Sequence, residues 1–568
     1  MHEKLKKIIS QARGVEKADL VIRNVRIFYL TDGSFVTGDI AVCGDTILGA
    51  GSEKYDGCTV IDGSGLTAVP GFIDSHVHVE SSMTTPYEFE RMALPRGVTT
   101  AVCDPHELTN TAGNKAIDYF LECSRGMLMD LRVQISSCVP ATHLETSGAS
   151  LSAKDIARYA AEPHSSGLAE LMNVPGVLFQ DPDVLEKIEL FQGRIDGHSP
   201  LLSGKDLNAY LAAGVRNCHE SSDLEEAREK LRKGMHLILR EGSVGRNLDT
   251  LAPLITPANS MFISFCTDDR NLLDIEQQGH IDYIIARAIE LGADPLAVYR
   301  CATVSAARHF SLGARGLIAP GYKADIVLLS DLKKCKVVSV LKNGKVVDDA
   351  LFASRPPEPD SSTFRNSIRR ATVSAGDFKV LSAKAATPVI GITEGTLITQ
   401  KLEMELPFDG KEKRILPEQD VAKVAVLERY GKNGNIAHGF VKGFGMKSGA
   451  IASSVGHDSH NLCVVGVSDE DMALAVNALI DSRGGFAVVV DGELLERMPL
   501  PIGGLLSDLR FEEIMSHLKK LHAAAAKTGC TLHDPFLQLA FLPLPVIPFL
   551  RLTDRGLVDV AKFDFIPC

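Results

Sequence analysis

The chain has 568 residues, 45% hydrophobic and 23% charged, the balance of an ordinary globular protein with room for two or three cores. A formal net charge of −12, with lysines and arginines scattered among acids, leaves no basic stripe for a phosphate backbone and argues against polymeric nucleic acid as a partner. Twelve cysteines without a single Cys-x-x-Cys pair read as reduced thiols of a cytoplasmic protein. The amino terminus, residues 1–9, reads as a short amphipathic helix too broken for a signal-peptide core, and no later run reaches the roughly 18 to 20 apolar residues of a membrane span. Residues 20–27 read as extended chain, followed by turns at Thr31-Asp32-Gly33 and Cys43-Gly44-Asp45. The same texture returns at 316–347, with an Asn343-Gly344 hairpin turn, which predicts one β-layer made from both flanks of a central domain.

That central domain opens with residues 70–82, Pro-Gly-Phe-Ile-Asp-Ser-His-Val-His-Val-Glu-Ser-Ser. Alternate side chains of a strand share a face, so His76 and His78 point the same way and make half a metal site. Strand candidates then alternate with helical stretches and end at His78, Asp104, Cys138, Glu170, His198, His219, Glu241 and Asp268, 21 to 34 residues apart. Eight βα units predict a (β/α)8 barrel, whose active site lies at the carboxyl ends of its strands. His76, His78, Glu170, His198, His219 and Asp268 all stand there. Singly, each has an ordinary reading: a turn cap for His198, a core histidine for His219, a helix N-cap for Asp268. Jointly they predict metal ligands. Four imidazoles and two carboxylates exceed the three protein ligands of one catalytic ion, so two divalent ions are expected, bridged by Glu170. Imidazole plus carboxylate suits manganese, iron or zinc. Residues 279–285 and 295–303 read as amphipathic helices that close the barrel.

The Pro-Gly-Phe-Ile-Asp-x-His-x-His run after a β-rich leader resembles the first barrel strand of the amidohydrolase superfamily. Val79-Glu80-Ser81-Ser82 and Glu170-Leu171-Met172-Asn173-Val174-Pro175-Gly176-Val177 resemble its adenine deaminase branch, in which a glutamate replaces the carbamylated lysine of many other members. The resemblance implies a β-sandwich beside the barrel and hydrolytic deamination of adenine to hypoxanthine and ammonia, as in purine salvage. His76, His78 and Asp268 would hold one ion and His198 and His219 the other, with Mn2+ first and Fe2+ or Zn2+ as alternatives. A homodimer is expected. Hydroxide shared by the ions would attack C6 of the small-molecule substrate. Asp268, free on one oxygen, is the expected base and proton shuttle. The acid for N1 should be a carboxyl whose pKa burial raises, and Glu107 in Asp104-Pro105-His106-Glu107 is the candidate: Pro105 biases Asp104 to extended geometry, so a loop can carry His106 and Glu107 inward. Glu80 and Glu220, each just behind a ligand histidine, are rivals for that role or accept a ring N–H from a ligand. With His106 they form the expected substrate-binding set.

Residues 354–362 are the richest Pro/Ser patch in the chain and mark a linker. Beyond it, strands at 389–393, 421–427 and 486–490 and helices at 471–480 and 505–526 predict a second domain. Its stretch 448–461, with His457, Asp458 and His460 among small residues, resembles the carboxyl-terminal signature of the adenine deaminases, as does 548–559, although Phe549 stands where a glutamate is more usual. These histidines could hold a further metal or form a wall of the pocket, but hydrogen bonding within their own domain is the favoured reading. The expected division is 1–68 and 316–353 for the β-sandwich and its leading helix, 69–315 for the barrel, 354–369 for the linker and 370–568 for a C-terminal α+β domain. A dinuclear cyclic-amide hydrolase of the dihydroorotase or hydantoinase type is the alternative, against which the glutamate bridge and the extra domain both argue. The missing Cys-x-x-Cys excludes the zinc deaminases of another fold.

Overall fold

The computed structural model describes residues 2–382 and 384–567. Helix His2–Ala12 lays Ile8 and Ala12 on Ala18, Val21, Ala41 and Cys43 of the first sheet. In strand Ala18–Phe28, Leu20 and Ile22 face the inner core and Val25 and Ile27 rejoin it, because a bulge absorbs Arg23 and Asn24 between them. A one-residue slip would have turned the second pair outward. The flanking β-sandwich is hydrogen-bonded as one continuous eight-stranded sheet: returning strand Ile326–Asp331 pairs antiparallel with Thr67–Pro70 in the register Val327 to Val69. Gly71 then donates its N–H to the Asp325 carbonyl, so both flanks fix where the chain enters the barrel.

The barrel strands are Phe72–Val77, Val98–Cys103, Asp130–Ile135, Ser165–Leu171, Ile195–Gly197, Asn217–Cys218, His236–Arg240 and Ile263–Cys266. Strands one to five and six to eight form two parallel ladders. The eighth closes on the first through Val77 and Asp268, with Asp268 N–H donating to His76 C=O at 3.0 Å. Between strands five and six a side chain replaces the ladder, Gly197 N–H donating to Asn217 Oδ1 at 2.7 Å. A Cβ at Gly197 would lie 2.1 Å from the Asn217 carbonyl oxygen, so only glycine admits this approach. The first strand is buried along its whole length, as a parallel strand covered on both faces must be. The third ends at Ile135, three residues before the expected Cys138, where Ser136 turns its hydroxyl to Asp104 and leaves the ladder.

The expected linker is a strap held against the barrel. Arg355 pairs with the buried Glu90, Glu358 accepts from the Tyr119 hydroxyl at 3.0 Å, and Phe364 is buried edge-on to Tyr119. The C-terminal domain has an eight-stranded mixed sheet covered by helix Asp469–Ser482, whose Met472, Ala475, Val476 and Leu479 pack on Ala450, Ala452, Val464 and Ala487. Ser468 caps that helix, and three acids in its first turn complement the helix dipole. The helix expected from 505 begins only at Phe511: Gly503 and Gly504 have left-handed backbones, and Ser507 gives its N–H to Met83 of the barrel. One buried apolar cluster runs from the barrel into this domain. Loop 136–152 is docked on it as well, with Thr146 N–H on Asp554 and the Thr553 hydroxyl on the Leu144 carbonyl. Among the described residues, no helix is long and apolar enough to cross a membrane.

Candidate active site

All six expected ligands meet at the barrel mouth, buried. His76 Nδ1 lies 3.0 Å from Asp196 Oδ2 and His78 Nδ1 lies 3.1 Å from the Asp104 carbonyl oxygen. Both partners are acceptors, so each ring carries its proton on Nδ1 and turns the lone pair of Nε2 inward. These two Nε2 atoms are 3.2 Å apart. Two lone pairs held so close repel unless a cation lies between them. Asp268 Oδ1 is 3.7 Å from His76 Nε2 and 3.3 Å from His78 Nε2. Glu170 reaches both sides of the cluster: Oε1 is 3.4 Å from His78 Nε2, while Oε2 is 2.6 Å from His198 Nδ1 and 3.3 Å from His219 Nε2. Three overlapping groups result, each with donor atoms close enough to share an ion: His76, His78 and Glu170; His76, His219 and Asp268; Glu170, His198 and His219. The donor set and the facing lone pairs fit a divalent metal.

The carboxyls around this cluster differ from expectation. Asp268 does not keep an oxygen free, because its Oδ2 accepts from Arg240 Nη1 at 2.8 Å. Arg240 also binds Glu220 through both Nη atoms, so Glu220 faces a guanidinium, while its Oε1 lies 3.5 Å from His219 Nε2. Glu80 accepts no ligand N–H. Its Oε1 takes the Leu108 N–H at 3.1 Å, and its Oε2 is buried without a partner. Burial, helped by the charge of Glu107, pushes the Glu80 carboxyl up to about 8.

His106 and Glu107 do turn inward, but as the first residues of helix His106–Ala112 and onto the C-terminal domain. His106 Nε2 lies 3.0 Å from Asp458 Oδ2, Glu107 Oε1 lies 2.9 Å from His457 Nδ1, and Glu107 Oε2 binds His460 Nε2. Burial would raise the Glu107 carboxyl, yet His457 and His460 outweigh it and hold Glu107 well below the usual carboxylate range. Glu107 is therefore ionised and ill suited to the acid role expected of it. The histidines of 448–461 bond across the domain seam to Glu107, and His460 also keeps a bond within its own domain, accepting the Gly456 N–H on Nδ1. Phe549 is about half exposed, and the structure explains nothing further about it.

Comparison with known proteins agrees with this geometry. The amidohydrolase family model matches residues 67–347, and the adenine deaminase C-terminal domain model matches residues 396–564. Adenine deaminase 1 of Agrobacterium fabrum is 52% identical over 567 residues, 100% of this chain and 98% of its own. An adenine deaminase of Brucella suis is 54% identical over 562 residues, 98% of this chain and 96% of its own. The chain belongs to the adenine deaminase family. Among solved structures, a triazine hydrolase variant is 16% identical with a TM-score of 0.45, over 59% of this chain and 98% of that one.

For a member of this family, sequence reasoning gave no role to two side chains that shape the site, Asp196 and Arg240, and placed two others, His457 and His460, within their own domain. Asp196 had a signal, since it precedes His198 by two residues where the fifth strand, Ile195–Gly197, ends. Arg240 ends the seventh strand, His236–Arg240, and a lone arginine closing an apolar strand at the catalytic rim is itself a sign of a buried anion. The remaining two were visible as residues but not as neighbours of Glu107.

Proposed function

We propose that this chain deaminates adenine hydrolytically, to hypoxanthine and ammonia, with two divalent ions shared across Glu170. The observation that carries the reading is the pair of inward imidazole lone pairs on His76 and His78, 3.2 Å apart, beside a glutamate that reaches a second pair of histidines. His76, His78 and Asp268 would hold one ion and His198 and His219 the other, with Mn2+ preferred over Fe2+ and Zn2+. Such ions, when bound, lower the pKa of a shared water and make it a nucleophile at neutral pH.

The residues of the chain do the rest. Asp196 and the Asp104 carbonyl hold the ring protons of His76 and His78 on Nδ1 and keep each Nε2 free to ligate. Asp268, steadied on Oδ2 by Arg240, takes the water proton on Oδ1 and passes it to the departing amine. Glu80 replaces Glu107 as the acid: its unpartnered Oε2 gives a proton to N1 as the water oxygen bonds to C6, the C6–amine bond then breaks to release ammonia, and the proton left on that oxygen restores the Glu80 acid. His106 and Glu220, each engaged by another side chain, support the site without touching adenine. The protein acts in the cytoplasm as a homodimer. Ammonia release from adenine, adenosine and a cyclic amide, measured beside metal content per chain, tests this. Turnover of adenine with two ions per chain is expected; turnover of the cyclic amide alone would overturn the reading.

A further inference from the structure

We propose that His457 and His460 of the C-terminal domain are positioning residues of the deaminase site, clamping the Glu107 carboxylate at its rim, so that this domain forms a working wall of the site. The inference rests on the deaminase reading above. Glu107 stands between the two halves of the molecule: it groups closely with donor atoms of His78 and Asp269 on one side and with those of His457 and Asp458 on the other. Both oxygens are engaged from above, by His457 Nδ1 at 2.9 Å and by His460 Nε2.

The rings are held as firmly as the carboxylate. Gly456 N–H donates to His460 Nδ1 at 3.2 Å, so His460 carries its own proton on Nε2, where it meets Glu107. The His457 ring lies flat on Phe541, 4.3 Å between centroids and 5° between planes. His460 holds a left-handed backbone at φ +52°, unfavourable for a residue with a Cβ and kept only where the surroundings impose it. Beside this clamp, Asp458 binds His106, a second tie across the same seam.

Stability alone does not account for the arrangement. A buried ion pair gains little over well-packed apolar residues, yet here an imidazole–carboxylate–imidazole bridge is built within reach of His78. A carboxylate fixed on both oxygens cannot swing into the ligand cluster, and it presents a constant negative edge close to His78. That edge gives the amino and N–H groups of a purine an acceptor.

The test uses the full-length, metal-loaded enzyme with adenine as probe. His457→Asn, His460→Asn and Glu107→Gln should each lower kcat by roughly 10- to 100-fold, the size seen when an outer-sphere partner is lost, with metal per chain unchanged and KM within about threefold. Residues acting as one unit are not additive, so Glu107→Gln with His457→Asn should fall no lower than the worse single variant. His457→Gly should recover part of its rate with added imidazole, which a merely structural loss would not allow. Single variants within about threefold of the parent, losses that multiply in the double variant, or loss of metal would each overturn the clamp. Should His457→Asn not fold, His460→Gln carries the same criterion. A parent enzyme inactive on adenine would overturn the deaminase reading and the clamp with it.

Discussion

At the strand ends, the ring N–H groups of His76 and His78 are spent on Asp196 and Asp104, and their lone pairs face each other across 3.2 Å. At the seam, a few residues away, the carboxylates of Glu107 and Asp458 each stand against imidazoles. Both clusters are buried and both mix histidine with carboxylate. The first turns its imidazole nitrogens and carboxylate oxygens toward one point, as a cation would require, whereas the second pairs each carboxylate with an imidazole. Composition therefore does not mark a metal site; the direction of the lone pairs does.

The largest expected effect follows from that difference. Chelation should abolish turnover and Mn2+ should restore it, and Glu170→Ala should lose metal and most activity while the barrel stays folded, since the change lies at the mouth and not among the barrel layers. Near-normal activity in metal-free protein would end the distinction. Next comes Glu80→Gln, which keeps the shape but not the donated proton and should lower kcat by on the order of 10²- to 10⁴-fold with metal content intact. A rate within a few fold of the parent would return the acid role to another carboxyl. Glu220→Gln weakens the support of Arg240 under Asp268 and removes a charge beside His219, and roughly 10- to 100-fold weaker metal retention is expected, read from metal per chain after dialysis.

The smallest effect sharpens the seam side. Burial, with the charges of Asp458 and Asp554, pushes the Glu145 carboxyl up to about 8, far above its unfolded value near 4.5. A raised folded pKa contributes stability that is present below the unfolded pKa and lost as pH rises through about 8. Glu145→Gln should therefore match the parent near pH 4 and exceed it by a few degrees in apparent Tm near pH 9. Equal melting curves at both pH values would place Glu145 outside the coupling.

That six side chains converge at the strand ends could be read because strand geometry is local: His76 and His78 share a face by alternation alone, and Glu170, His198, His219 and Asp268 follow from where apolar runs stop. What depends on a distant partner could not. Glu107 and His460 lie 353 residues apart, so nothing near Glu107 announces that it is ionised. The freedom assigned to Asp268 failed for the same reason, as Arg240 comes from a neighbouring strand. The helix begun too early, at 505, failed locally, where Gly503 and Gly504 and a backbone tie to Met83 win over apolar periodicity.

The strap at 354–364 gives the two halves of the chain a shared fate. A loose tether of that length would let the C-terminal domain detach and return, but Arg355 on Glu90, Glu358 on Tyr119 and the buried Phe364 shorten the free leash and raise the effective concentration of one half at the surface of the other. Undocking must then break the strap, the seam and a common apolar cluster together, so heat or denaturant should melt the molecule in one transition.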